Sequence, residues 1–345
     1  MLRERPSRLQ AGRRGGGAVT LRIGTRGSAL ALAQCGDVAE LITERTGIVT
    51  ELVPVTTHGD VSQASLSSLG GTGVFASALR EALLAGTCDV VVHSMKDLPT
   101  APYPGLVIAA VPMREDARDA LCARDGLTLD ELPADARVGT GSPRRAAQLL
   151  ARRPDLTVVD IRGNVDTRLG FVTSGELDAV VLAVAGLSRL ERTGAITQIF
   201  ELDEWPTAPA QGALAVETLA SLDRAGESEV ARALRAINDA DAFVAAEAER
   251  AVLAGLEAGC SAPVGASAVV AVDGIRLTAS VYAGDGSSSV ANDAQAVLPN
   301  LIDPRASSHP DGNGFDARIA TASRIGFELA ASLISAGAPG LAARP

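Results

Sequence analysis

The sequence predicts an α/β protein: two similar α/β domains facing a cleft, followed by a smaller α+β domain. Three observations lead there. Strand-like and helix-like runs alternate from residue 19 to about residue 216, the βαβ rhythm of a largely parallel sheet covered by helices. Gly24-Thr25-Arg26-Gly27-Ser28 and Gly139-Thr140-Gly141-Ser142-Pro143-Arg144 share one plan of strand, glycine turn, capping serine and helix. After a long Ala-rich helix, the alternation gives way to strand-like runs and a closing helix. Length and composition agree. At about 150 residues per domain, 345 residues make two to three domains. With 47% apolar and 21% charged residues, the chain can build cores, and wholesale disorder is excluded. Aromatics are 3%, so those cores are aliphatic. The apolar runs are too short to span a membrane.

Residues 1–18 carry five arginines and then glycines without hydrophobic period, and are expected to be a disordered tail. The first domain is expected over 19–115. In it, 19–25 reads as a strand, 28–45 as a helix capped by Ser28 and stopped by Gly47, and 48–55 as a strand. Helix 74–85 stops at Gly86, and the apolar runs 89–93 and 106–111 read as buried strands. The second domain is expected over 116–212. It alternates strand 137–140, helix 143–152, strand 156–161, helix 165–174 and strand 177–184. A proline-bearing segment, 206–212, then crosses back, and 213–232 completes the first domain, starting with the strand-like run 213–216. The third domain is expected over 238–345: helix 238–256, strands 267–272 and 276–282, a polar loop 303–316 and helix 317–335.

A net charge of −10 argues against a dedicated nucleic-acid binder, because a phosphate backbone demands a basic footprint. Cys35, Cys88, Cys122 and Cys260 are far apart and match no zinc spacing, so no metal site is expected. A disulfide scaffold does not suit a chain of this length without a secretory signal, which points to a reducing, cytoplasmic compartment. No membrane partner is expected, and the chain is expected to act as a monomer.

The arginines gather at predicted strand ends. Arg26 sits in the first glycine turn, and Arg144 and Arg145 open the helix after the second. A cation at a helix start opposes the macrodipole unless an anion sits there. Arg162 follows the next strand in an Arg162-Gly163-Asn164 turn, and Arg168 and Arg189 lie beyond it. From Arg137 to Arg168 there are seven arginines against three aspartates, a local +4 in an acidic protein. Each arginine alone reads as a solvated helix face. As a set at strand carboxyl ends, which face the ligand crevice of open α/β sheets, they read as a polyanion site. The planar guanidinium suits carboxylates in bidentate pairs. Arg152 and Arg153, later on the same helix, read as solvated.

His93-Ser94-Met95-Lys96-Asp97 follows a buried strand. Asp97, beside cations, is either the cap of the next turn or an ionised carboxylate able to accept a proton or stabilise a cation. Of 31 basic residues Lys96 alone is lysine, and it stands next to that aspartate. Cys260 lies in a Gly/Pro loop after a helix. It reads either as a small buried hydrophobe or as a functional thiol. The other three cysteines read as structural.

These stretches together resemble the porphobilinogen deaminase (hydroxymethylbilane synthase) family, in order from about Leu21 to about Gly265. The match includes both glycine turns, Gly70 to Phe75, His93 to Asp97, Arg144-Arg145 and Arg162-Gly163-Asn164. It continues through Ala183 to Leu187, Pro209-Ala210-Gln211-Gly212-Ala213, Ala248-Glu249-Arg250 and the Cys260 loop. The resemblance implies two periplasmic-binding-protein-like (class II) domains and a third domain carrying a cofactor cysteine. It also implies the head-to-tail condensation of four porphobilinogens, each losing ammonia, to hydroxymethylbilane. The primer would be a dipyrromethane held by a thioether to Cys260. Arg26, Arg144, Arg145, Arg162, Arg168 and Arg189 match positions that hold the acetates and propionates, with Lys96, Asn164 and Gln211 in the same motifs. Ser28, Ser94 and Ser142 would add neutral donors. Asp97 matches the catalytic aspartate, which would assist ammonia loss, stabilise the cationic azafulvene through the pyrrole N–H and help the later proton loss. A tethered primer makes each condensation effectively intramolecular.

The chain departs from the family pattern at Thr72 and Ser68, where lysine is frequent, and at Gly141, where serine is common. A non-enzymatic anion binder with the same cleft is the alternative. It would need neither Cys260 nor Asp97.

Overall fold

The computed structural model describes residues 20–55, 74–224, 228–259, 262–300, 314–338 and 340. The tail 1–18, Ser68 and Thr72, Cys260 and most of the loop 303–316 lie outside them.

The first domain opens with β1 (Thr20–Thr25), α1 (Ala29–Thr46), β2 (Val49–Pro54) and α2 (Val74–Leu84). Ser28 caps α1 by accepting the N–H of Ala31, and Gly47 ends it in the left-handed region. β3 (Val90–Ser94) and β4 (Leu106–Ala110) follow. The chain then enters the second domain through β5 (Asp119–Ala123), β6 (Arg137–Gly139), α3 (Pro143–Arg152), β7 (Thr157–Val159), α4 (Val165–Thr173), β8 (Ala179–Ala183), α5 (Val184–Arg189) and β9 (Gln198–Phe200). It returns with β10 (Leu214–Leu219), α6 (Ala220–Arg224) and α7 (Glu229–Ile237). The third domain is α8 (Ala240–Gly255), β11 (Val264–Ala271), β12 (Gly274–Tyr282), β13 (Ser289–Ala296) and α9 (Phe315–Ser335).

The two large sheets repeat one design. Their strand orders are β2-β1-β3-β10-β4 and β7-β6-β8-β5-β9. In each, the first three strands are parallel and the fourth runs antiparallel to the third. The fourth strand of the first sheet is borrowed across the chain order: β10 comes from after the second domain, whereas β5 opens the second domain and stays within it. The two domains share this topology and are joined by two crossing segments, 111–118 and 206–213. Gly212 sits on the second with φ +85°, where a Cβ would collide with the carbonyl of Glu115 on the first.

Aliphatic burial holds each layer. Leu21, Ile23 and Ile42 pack between the first sheet and α1, at about 1.5–3 kcal/mol for each fully buried side chain. In the second domain Trp205, fully buried, stacks on Phe200 with ring centroids 4.3 Å apart. In the third, α8 and α9 cover one face of the antiparallel β11-β12-β13 sheet through Val252, Ile325, Leu329 and Leu277.

The structure departs from the sequence reading in several elements. The run 177–184 is strand only to Ala183, and Val184 opens α5. β5 and β9 were not foreseen, because Asp-Ala-Leu-Cys-Ala has little strand preference and is fixed by its ladder to β8. β13 is a mostly exposed edge strand, Ser-Val-Ala-Asn-Asp-Ala-Gln-Ala, with little apolar alternation to reveal it. α7, absent from the reading, packs Ala233, Leu234 and Ile237 into the first core.

Candidate active site

The predicted site residues stand at the carboxyl ends of parallel strands in both sheets. Arg26 and Ser28 follow β1, and Lys96 and Asp97 follow β3. Ser142, Arg144 and Arg145 follow β6, and Arg162 and Asn164 follow β7. This is where an open α/β sheet presents its ligand crevice. Three of the polar residues also build that edge. Ser28, Ser142 and Asn164 are helix N-caps, accepting from the N–H groups of Ala31 (3.3 Å), Arg145 (3.5 Å) and Thr167 (2.8 Å). At Gly141 the two turns touch: a Cβ there would lie 2.6 Å from the Ile161 carbonyl. The serine common at this position has no room, and the chain keeps glycine.

Asp97 closes a 3-10 turn, Met95–Asp97, and its carboxylate is exposed. Arg26, Gln34, His93, Ser94 and Asp97 line one small cavity of ≈ 60 Å³. Gln34 orients Ser94, donating from Nε2 to its Oγ (2.9 Å). Lys96 is half-buried and donates from Nζ to Gln211 Oε1 (3.3 Å). Burial pulls its pKa down, Asp97 opposes that, and Arg145 adds to it.

Gln211 connects this turn to a hub that sequence reasoning missed. Asp119, fully buried at the start of β5, accepts four hydrogen bonds: Arg145 Nη2 (2.6 Å), Gln211 Nε2 (2.8 Å), Arg144 Nη2 (2.9 Å) and Trp205 Nε1 (2.9 Å). Burial alone would raise its pKa, but the two guanidiniums hold it well below the usual carboxylate range. Two arginines thus share one carboxylate, leaving one positive charge over. Arg144 turns its other Nη to Gln148 Oε1 (2.6 Å) and the Pro206 carbonyl (3.2 Å), toward the third domain. Arg145 gives Nη1 to the Val181 carbonyl (3.0 Å), and its Nε is buried without a partner among the described residues.

Arg168 extends the positive charge. Its Nε donates to the Gly163 carbonyl (2.9 Å). Burial pulls its pKa down, and Arg145 and Arg162 pull it further, so three guanidiniums share one field. Arg162 and Asn164 are exposed at the rim. Arg189 lies apart from this cluster. It donates to the Gly212 carbonyl (2.9 Å) and faces Asp37 of the first domain at 3.8 Å. Arg153, read as solvated, is instead tied to Asp155 and to the carbonyls of Leu129 and Leu132. Arg152 stacks over Trp205 at 5.3 Å.

Other contributors also escaped the sequence. Arg80 and His93 both hold Glu217, at 2.7 and 3.1 Å. Glu249 and Arg250 stood in a recognised motif, but their partners lie 39 to 152 residues away on the first domain and the crossing segments.

Comparison with known proteins places these features. Residues 21–227 match the family model "Porphobilinogen deaminase, dipyromethane cofactor binding domain", and residues 243–307 match "Porphobilinogen deaminase, C-terminal domain". The chain is 56% identical over 322 residues to the porphobilinogen deaminase of Leifsonia xyli subsp. xyli, covering 93% of this chain and 94% of that one. It is 52% identical over 318 residues to that of Thermobifida fusca, with 92% and 94% covered. Among solved structures, the methionine binding protein MetQ aligns with a TM-score of 0.42 and 12% identity, over 63% of this chain and 89% of that chain.

Proposed function

We infer the roles of the cleft residues from one fact: this chain belongs to the porphobilinogen deaminase family. It is a transferase of tetrapyrrole biosynthesis, condensing four porphobilinogens head to tail with loss of ammonia and releasing hydroxymethylbilane. Its cofactor is a dipyrromethane, which supplies a tethered pyrrole carbon as the first acceptor. No helix among the described residues is long and apolar enough to cross a membrane.

The residues fit a polycarboxylate. One observation carries this reading: burial, Arg145 and Arg162 together pull the Arg168 guanidinium down, and Arg145 keeps an unpartnered buried Nε–H. Such a cluster lowers its own energy by taking carboxylates. Arg145 and Arg162, with Lys96, Ser94, Ser142, Arg144 and Asn164, are the groups proposed to hold the primer. Arg26, Ser28, Arg168, Arg189 and Gln211 would hold incoming substrate. Asp97, an exposed carboxylate beside them, faces the pyrrole nitrogen in this reading. It would offset the positive charge that develops as ammonia leaves, then accept the proton released after carbon–carbon bond formation. Asp119 does no chemistry here. It fixes both guanidiniums before substrate arrives, so the site pays little reorganisation during reaction.

Cys260 is proposed as the attachment point. The three free cysteines among the described residues, Cys35, Cys88 and Cys122, are buried, and burial pushes their thiols up to about 11, 11 and 12. All three are poor nucleophiles. Reduced thiols also support a cytoplasmic setting, and a monomer is proposed. Intact mass of denatured protein, purified after exposure to porphobilinogen, tests the assignment. The expected result is a two-pyrrole increment, lost in Cys260→Ala and kept in Cys35→Ala. A bare polypeptide mass for the parent chain would reject it.

A further inference from the structure

Glu249 and Arg250 are neighbours on α8, in the third domain, yet both side chains serve its partners. Glu249 is fully buried. It accepts from Arg114 Nη1 and Nη2 (2.8 and 2.9 Å) on one crossing segment and from the Ala210 N–H (2.6 Å) on the other. The Ala268 N–H of β11 completes the set (2.8 Å). Arg250 reaches into the first domain. Its Nη1 donates to the carbonyls of Met95 (3.2 Å) and Leu98 (2.9 Å), and its Nη2 to that of Pro99 (2.7 Å). These three oxygens bracket Lys96 and Asp97.

We propose that Arg250 is a positioning residue, through which the third domain sets the turn that aims Asp97. The proposal rests on reading Asp97 as the catalytic carboxylate. The turn has a hydrogen bond of its own, Leu98 N–H to Met95 O, and at 3.2 Å it is long. Its upstream side is fixed by the Met95 N–H on the Ala213 carbonyl (3.0 Å) and by Gln34 on Ser94. Arg250 fixes the downstream side. Burying a guanidinium is costly, and a rigid fork spanning residues 95, 98 and 99 turns that cost into geometry. The same helix, α8, leads into the loop of Cys260. Docking of the third domain therefore sets the Asp97 turn.

The test uses primer-loaded enzyme: parent chain, Arg250→Gln and Arg250→Lys. Denatured mass gives primer content, a thermal melt gives stability, and initial rates across pH give kcat and KM for porphobilinogen. Arg250→Gln should keep the primer and KM, lower kcat about 10²-fold, and shift the pH profile of kcat. Arg250→Lys keeps the charge and part of the contacts. It should recover about tenfold of that loss, and it serves alone if the glutamine variant does not fold. A kcat that stays at the parent value, or falls only in proportion to folded, primer-loaded enzyme, would overturn the inference alone. A primer-loaded parent chain that leaves porphobilinogen unconsumed would overturn the functional reading, and this inference with it.

Discussion

Asp97 and Lys96 are adjacent but face opposite demands. The aspartate is exposed, while the ammonium is turned inward onto Gln211. Asp97→Asn keeps the shape and removes the proton acceptor. The expected outcome is a normal primer mass with turnover reduced about 10²–10⁴-fold; near-normal turnover at any pH would move the role elsewhere. Lys96 occupies a corner already crowded by Arg145 and Arg144. A guanidinium there is broader than an ammonium and, with a rigid fork, would pair with Asp97. Lys96→Arg should therefore lower kcat by about 10–10²-fold with an unchanged melt, and parent-level kinetics would make the lone lysine an accident. The sequence showed these two residues because strand, turn and charge fall within five positions. It hid Asp119, Gln34 and Arg80, whose meaning comes from partners 25 to 137 residues away. A single carboxylate or amide carries no local signal that it will be shared.

At the level of elements, capping and periodicity were legible. Ser28 and Ser142 cap their helices where the glycine turns placed them, and Asn164, read only as part of a turn, caps α4. Short strands with no pattern of their own, β5, β9 and β13, were not, since their ladders rather than their side chains select them. One inter-element tie has a pH signature. Glu217 on β10 holds Arg80 of α2 and His93 of β3; burial pushes its pKa up, but those two hydrogen bonds bring it down to about 2 from an ordinary 4.5. The folded value lies below the unfolded one. The stabilisation is therefore complete above pH about 4.5 and drains away as pH falls toward 2. The gap corresponds to roughly 3 kcal/mol. Glu217→Gln should lower the melting temperature at neutral pH and flatten its decline below pH about 4.5. Parallel melting curves for parent and variant would show that the acid limb originates elsewhere.

Across the whole molecule, the duplicated sheet design followed from the two glycine turns, because they mark equivalent strand ends. The junction of all three domains did not, since it is built on one buried carboxylate. Removing the charge in Glu249→Gln strands Arg114 and weakens both crossing segments at once. Breaking a buried ion pair on one side costs about 3–5 kcal/mol, so a large loss in urea stability is expected. A shift within about 0.5 kcal/mol, the scale of surface changes, would make the junction dispensable. The borrowed strand β10 has a consequence for how the chain is made. β5 to β9 are contiguous, so the second domain can close its sheet as soon as residues 119–200 leave the ribosome. The first domain cannot: β10, between β3 and β4, is synthesised about a hundred residues after β4. The first sheet must wait, with an open slot, until β10 has been synthesised. The usual N-to-C order of co-translational folding is inverted, and the β3 edge stays open to wrong pairing throughout that interval.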